Sequence, residues 1–239
     1  MKALGRWLAF VLCAALALQL FFVLRIALAV WWDPQSTSFQ RSEMWRIWQH
    51  NAQQRPWQQQ WVDYSQISPH LQRAVLTAED DSFIDHDGVQ WMAIEKAWER
   101  NQKALAKAQN KPNAKPAKIY GGSTITQQLA KNLLLSGERS FLRKGQEFVL
   151  AHLLELFLSK QRILEIYLNN VEWGQGIFGA EAAARHYFRK SAKQLTATES
   201  ARLAVMLPRP RYYEHHLNSR YLLSRSSAIQ RRMGGTPLP

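Results

Sequence analysis

The chain has a single cysteine, Cys13, among 239 residues, so no disulfide can close within it and no cysteine metal site can form. Acidic side chains are also scarce. Eighteen Asp and Glu stand against 31 Lys and Arg, a formal charge of +13. That excess calls for an anionic partner, and nucleic acid, an anionic membrane surface and a phosphorylated substrate suit it equally. Strand patterning is thin, two short pieces at most, and apolar residues recur mainly at helical spacing. The expected fold class is mainly α.

What the chain does have is a long apolar run. From Trp7 to Leu24 there are eighteen residues without a charge, and only Gln19 is polar. After Arg25 the run resumes from Ile26 to Trp32. About 20 apolar residues in a helix cross the hydrocarbon core of a bilayer. Arg25 lies near the far end, where its stem can snorkel, and Trp7, Trp31 and Trp32 sit where interfacial aromatics do. Lys2 and Arg6 precede the run, which predicts a cytoplasmic tail and places everything after Asp33 outside. A cleaved signal peptide is the alternative, because Ala27-Leu28-Ala29 resembles a cleavage site. The run exceeds the roughly 7–15 residues usual for a signal, which favours a retained anchor.

Beyond the anchor (residues 1–32), residues 33–61 read as a membrane-proximal helix near Met44–Trp48 followed by a connector. Ser68-Pro69 is a helix start, with Ser as N-cap and Pro at the first helical position. That helix is expected to run through Leu71, Val75 and Ala78 into Glu79, and a second covers residues 89–101. Residues 102–118, mostly Lys, Pro, Ala, Asn and Gln, lack the apolar area to offset ordering entropy and read as a mobile loop. Helical patterning resumes after Thr124, whose Gln127 completes a capping-box pattern. Further helices are expected over residues 141–159, after Ser159, over residues 180–188, and after Thr196 up to Pro208. Residues 218–239 read as a C-terminal tail, disordered at its end.

Four segments combine charged or hydroxylic groups with glycine in ways a core does not need. Glu79-Asp80-Asp81-Ser82-Phe83-Ile84-Asp85-His86-Asp87-Gly88 crowds acids that raise one another's affinity for a proton or a cation. Gly121-Gly122-Ser123-Thr124, running on to Gln128, Lys131 and Asn132, presents free N–H groups at a helix start to an anion. Arg143-Lys144-Gly145-Gln146-Glu147 sets a cation and a carboxylate on one helix face, and Lys160 to Asn169 is the fourth. Taken singly, each has a bland reading as a solvated face, a loop or a cap.

Together and in this order, the segments resemble the signature motifs of glycosyltransferase family 51, the peptidoglycan glycosyltransferases, over about Val62 to Tyr213. The stretch from Asn170 to Ala184 looks like the monofunctional biosynthetic branch. The chain also has no Ser-x-x-Lys, the nucleophile motif of penicillin-binding proteins. The resemblance implies a lysozyme-like helical glycosyltransferase domain over residues 62–217, with a smaller membrane-associated lobe. It implies polymerisation of lipid II into β-1,4-linked glycan, with inversion at the donor carbon and release of undecaprenyl diphosphate. Glu79 matches the family's general base and Glu147 its second carboxylate. Lys131, Arg143 and Lys144 match the cations that receive the diphosphate, and Ser123, Thr124, Gln128 and Asn132 its polar contacts. Asp80, Phe83 and His86 match substrate-side positions that shape the first motif. Asp81-Ser82 stands where the family often has an arginine, which removes one phosphate contact.

No cofactor is implied with certainty; a divalent cation, Mg or Mn, at the donor diphosphate is the one option. The implied partners are lipid II, the lipid-linked growing glycan, the membrane, and other cell-wall synthesis or division proteins, with no nucleic acid. The implied location is the bacterial inner membrane, with the catalytic domain periplasmic. Two other readings compete: a lysozyme-like hydrolase or lytic transglycosylase, and a non-enzymatic scaffold for anionic lipid. A hydrolase of neutral glycan has no need of the Lys131, Arg143 and Lys144 set.

Overall fold

A computed structural model describes residues 2–49, 57–109, 121–135 and 140–239. The apolar run forms α1 (Lys2–Leu28), about 40 Å long at the usual helical rise. Leu8, Phe10, Leu12 and Leu16 on it are exposed, and packing begins only at the half-buried Gln19 and continues through the buried Phe22, Ile26 and Ala29. A helix so long, apolar and unburied fits a single-pass membrane anchor.

After a turn comes α2 (Ser38–Gln49). Its start is fixed reciprocally: Gln40 N donates to Thr37 Oγ1 (3.0 Å) and Thr37 N to Gln40 Oε1 (2.8 Å), a capping box. The connector residues 50–56 lie outside the described residues. β1 (Gln58–Gln59) leads through a 3-10 turn to α3 (Pro69–Glu79), which opens with Ser68 accepting from His70 N and Pro69 in its first turn. Leu71, Ala74 and Val75 are its fully buried stripe.

α4 (Trp91–Gln109) follows, then α5 (Ile125–Leu134), on which the Thr124–Gln127 capping box forms in both directions. α6 (Phe141–Phe157) and α7 (Lys160–Asn170) start on Ser140 and Ser159, each accepting a backbone N–H of the first turn. β2 (Glu172–Gly174), β3 (Ile177–Phe178) and α8 (Ala180–Phe188) come next. Gly179 joins the last two at φ +84°, and a Cβ there would lie 2.6 Å from Asn169 O, so only glycine fits. The chain closes with α9 (Ala197–Met206), capped by Thr196 and Glu199, then α10 (Pro210–Tyr213) and α11 (Arg220–Arg232).

The helices enclose one apolar core, in which α3 packs on α9, α11 covers both, and α5 packs against α6 and α7. The small sheet runs in the order β1-β3-β2, with β1 parallel and β2 antiparallel to β3.

Three expectations change. There are three short strands among the described residues rather than two. The helix after Gly88 extends to Gln109, because its Ala- and Lys-rich second half has helix propensity that outweighs its lack of apolar area; residues 110–118 of the expected mobile loop lie outside the described residues. The C-terminus is folded: Leu222, Ile229 and Met233 are buried, Thr236 hydrogen-bonds Thr77 (2.7 Å), and Arg232 pairs with Asp81 (2.9 Å). A stripe at 222, 226, 229 and 233 is what buries it.

Candidate active site

Glu79 is the last residue of α3, half-buried beside the start of α5. Its Oε2 accepts from Gln128 Nε2 at 2.9 Å, and Gln128 Oε1 accepts from the Tyr167 hydroxyl at 3.0 Å. A buried phenol from α7 thus holds a neutral amide from α5, and that amide holds the carboxylate. Burial pushes the Glu79 carboxyl above the usual range, and the Asp80 charge adds to the rise. The Gln128 hydrogen bond, Arg225 of α11 and Lys131 pull the other way. Burial, then the Glu79 and Asp80 charges, push the Tyr167 phenol well above its ordinary value, so it stays a donor.

The rest of the first motif builds the wall behind Glu79. Asp80 accepts from His86 Nε2 (3.0 Å to each oxygen) and from Ile125 N (3.0 Å), which ties the motif to the start of α5. Gly88 N donates to His86 Nδ1 (3.1 Å), so the imidazole proton is assigned to Nε2. Thr124 Oγ1 donates to Gly88 O at 2.6 Å. The Lys160 ammonium lies 4.6 Å above the Phe83 ring and also bonds His86 O. Asp80, Phe83 and Thr124 are buried and His86 nearly so. Asp80, His86 and Thr124 thus use their side-chain polar atoms in internal hydrogen bonds that brace Glu79 and α5, with Phe83 packed among them.

The cations gather on the first turns of α6. Glu147, 3% exposed, accepts from Arg143 Nη1 at 3.1 Å and from Lys144 Nζ. A single carboxylate thereby holds two cations side by side. Arg143 Nε is buried without a hydrogen-bond partner, a donor left for something else. Arg143 lines a cavity of about 450 Å³ together with Gln128, Lys131 and Asn132 of α5, and Phe39, Glu172 and Pro210 complete its wall. Lys144 and Ser123, 3.5 Å apart, face an adjoining recess of about 200 Å³ with Trp98 and Phe148. The expected donor set is thus divided between two cavities, and Glu147 pairs with one cation lining each.

Sequence reasoning placed Tyr167 in the fourth segment, Lys160 to Asn169, but missed its bond to Gln128. It also missed Glu172, which faces the cavity while Arg211 binds it at 2.9 and 3.2 Å. Burial raises the Glu172 carboxyl, and Arg211 opposes that rise. Arg225 carried no signal, since it belongs to the segment read as a tail. Among the described residues no three His, Cys, Asp or Glu side chains gather as a metal site. With both Glu147 oxygens held by cations, the residues present do not fit a protein-built cation cage.

Gln128 touches the Glu79 carboxylate on one side and lines the cation-rimmed cavity on the other, so a proton acceptor and anion-binding groups lie close together. The comparisons agree in kind. The transglycosylase family model matches residues 47–234, and the chain belongs to that family: it is a glycosyltransferase with a mainly helical, lysozyme-like fold. It is similar to the biosynthetic peptidoglycan transglycosylase of Paraburkholderia phytofirmans, 48% identical over 98% of this chain and 94% of the relative. The protein of that name from Bordetella pertussis is 50% identical over 96% and 91%. That from Herminiimonas arsenicoxydans is 48% identical over 98% and 96%.

Proposed function

We propose that this transglycosylase polymerises lipid II, the diphosphate-linked disaccharide precursor of peptidoglycan, and that Glu79 is its general base. The supporting observation is the position of Gln128, shared between Glu79 and the cation-rimmed cavity. The acceptor 4-hydroxyl is a weak nucleophile. Glu79 takes its proton as its oxygen bonds to C1 of the donor sugar. The C1–O bond to the diphosphate breaks as the new one forms, so the α-linked donor gives a β-linked product by one displacement. A diphosphate leaves without being protonated, and Lys131, Arg143 and Lys144 meet the charge that develops on it. Glu147 holds Arg143 and Lys144 in place from below.

The site works at a membrane. α1 anchors the chain, with Lys2 and Arg6 keeping the N-terminus cytoplasmic. The catalytic domain then faces the periplasm from the inner membrane, where the lipid-linked growing glycan and other cell-wall synthesis or division proteins are its partners. Exposed Trp91, Met92 and Trp98 on α4, and Phe141 and Leu142 on α6, form apolar surface suited to lipid. Purified full-length protein given labelled lipid II tests the reading. Glycan polymer and free undecaprenyl diphosphate are expected, with preformed glycan left intact. Cleavage of preformed glycan with lipid II untouched would make it a hydrolase.

A further inference from the structure

Gln19 is the one polar side chain in the uncharged part of α1, and it does not face lipid alone. Its Nε2 donates to Gln146 Oε1 at 3.0 Å, and Gln146 Nε2 donates back to Gln19 Oε1 at 3.0 Å. The two amides form a closed pair between α1 and α6, which pack on each other. Gln146 lies beside Glu147 and within one turn of Arg143 and Lys144.

The geometry points to Gln19 as a positioning residue for the leaving-group end of the active site: through Gln146 it sets the depth and rotation of α6, and so of Arg143, Lys144 and Glu147. This rests on the function proposed above. Gln19 precedes Arg25 by six residues, about 9 Å along the helix, so the pair lies on the hydrocarbon side of that arginine. An amide without a partner there has no water to turn to. Sliding or turning α6 by one residue breaks both hydrogen bonds together, which is why the pair defines a register and a lone contact would not. At the start of α6, Phe141 and Leu142 are 98% and 89% exposed. At its outer end, α1 is tied to α7 instead, where Arg162 donates to Ala29 O at 3.0 Å and to Asp33 at 2.7 Å. The anchor is thus attached at two heights, and the deeper attachment reaches the helix that carries the cations.

The test uses full-length protein in phosphatidylethanolamine–phosphatidylglycerol vesicles. Cys13→Ala leaves no native thiol, and cysteines placed at 19 and 146 are treated with a short bifunctional thiol reagent. Cross-linking is expected for that pair and not for 21 with 146, since Phe21 points about 200° away around the helix. Gln19→Leu, Gln146→Leu and the double variant are then assayed on lipid II, with melting temperatures recorded. Each single variant is expected to raise KM about threefold to fifteenfold, the range of one interhelical hydrogen-bonded contact in a membrane, with kcat near wild type. The double variant should be no worse than the worse single, because both remove one contact. An absent cross-link, unchanged KM in both singles, or effects that multiply in the double variant would overturn the proposal. If the wild type itself makes no polymer, the functional reading fails while the cross-link still decides whether the pair exists.

Discussion

Two carboxylates of the candidate site are held in opposite ways. Glu79 has a neutral partner, the Gln128 amide, and burial pushes its proton affinity up. Glu147 is buried more completely yet has two cations against it. Burial of the first favours its protonated form; the second braces two cations. One residue type thus serves acid–base chemistry or electrostatic scaffolding according to whether an amide or a guanidinium and an ammonium reach it.

Glu79→Gln is the hardest blow to that contrast. It keeps the shape and removes the base, so kcat is expected to fall by about 10²–10⁴ in a lipid II polymerisation assay. Stability should move the other way. A carboxyl whose folded pKa lies above its unfolded value loses stability as pH rises through the unfolded value, because the unfolded chain ionises first. At neutral pH the variant should therefore melt no lower than wild type. A clear fall in Tm would mean that Glu79 is a structural ion and not a poised base.

Glu147→Gln makes the same chemical change with the opposite stability sign. Removing the charge from two charge-assisted hydrogen bonds should lower stability by about 1–3 kcal/mol and raise KM for lipid II about tenfold to a hundredfold. Thermal melts beside kinetics separate the two carboxylates. If both variants moved Tm in the same direction, the division of roles would be lost.

Smaller changes sharpen the picture around Glu79. Its raised pKa puts the acid limb of the kcat/KM profile above the ordinary carboxylate range, with activity lost as pH falls through it. Gln128→Leu removes a donor that stabilises the ionised form, so the limb should move to higher pH; a shift downward would reverse the sign assigned to that bond. Tyr167→Phe should move the limb in the same direction by less. It leaves Gln128 Oε1 without a partner, at a stability cost of about 1–3 kcal/mol readable in a denaturant melt.

Much of this arrangement was legible in the sequence, and particular residues show why. Ser68-Pro69, Thr124 with Gln127, and Thr196 with Glu199 act over three residues, and each sits at a helix start. α8 follows the expected bounds because Gly179 and the alanine run act locally. The motif Glu79 to Gly88 pointed to Glu79 as the candidate base through its resemblance to a known family. Thr37 and Gln40 carried the same capping signal as Thr124 and Gln127 but lay in a Gln-rich stretch without clear periodicity. The internal bonds of Asp80 and Thr124 carried no local signal, because their partners His86, Ile125 and Gly88 are brought to them only by packing.

The sequence by itself determined the long apolar helix, most helix starts and the family, and it singled out Glu79 as the candidate base, since caps, apolar periods and motifs are read within a few residues of chain. The tertiary structure decided what each charged group does. The Tyr167–Gln128–Glu79 chain, the Gln19–Gln146 pair and the packing of α11 behind Glu79 join residues far apart in sequence. Whether Glu79 holds a proton depends on the desolvation and charges imposed by those neighbours, and no local pattern encodes which neighbours packing will bring.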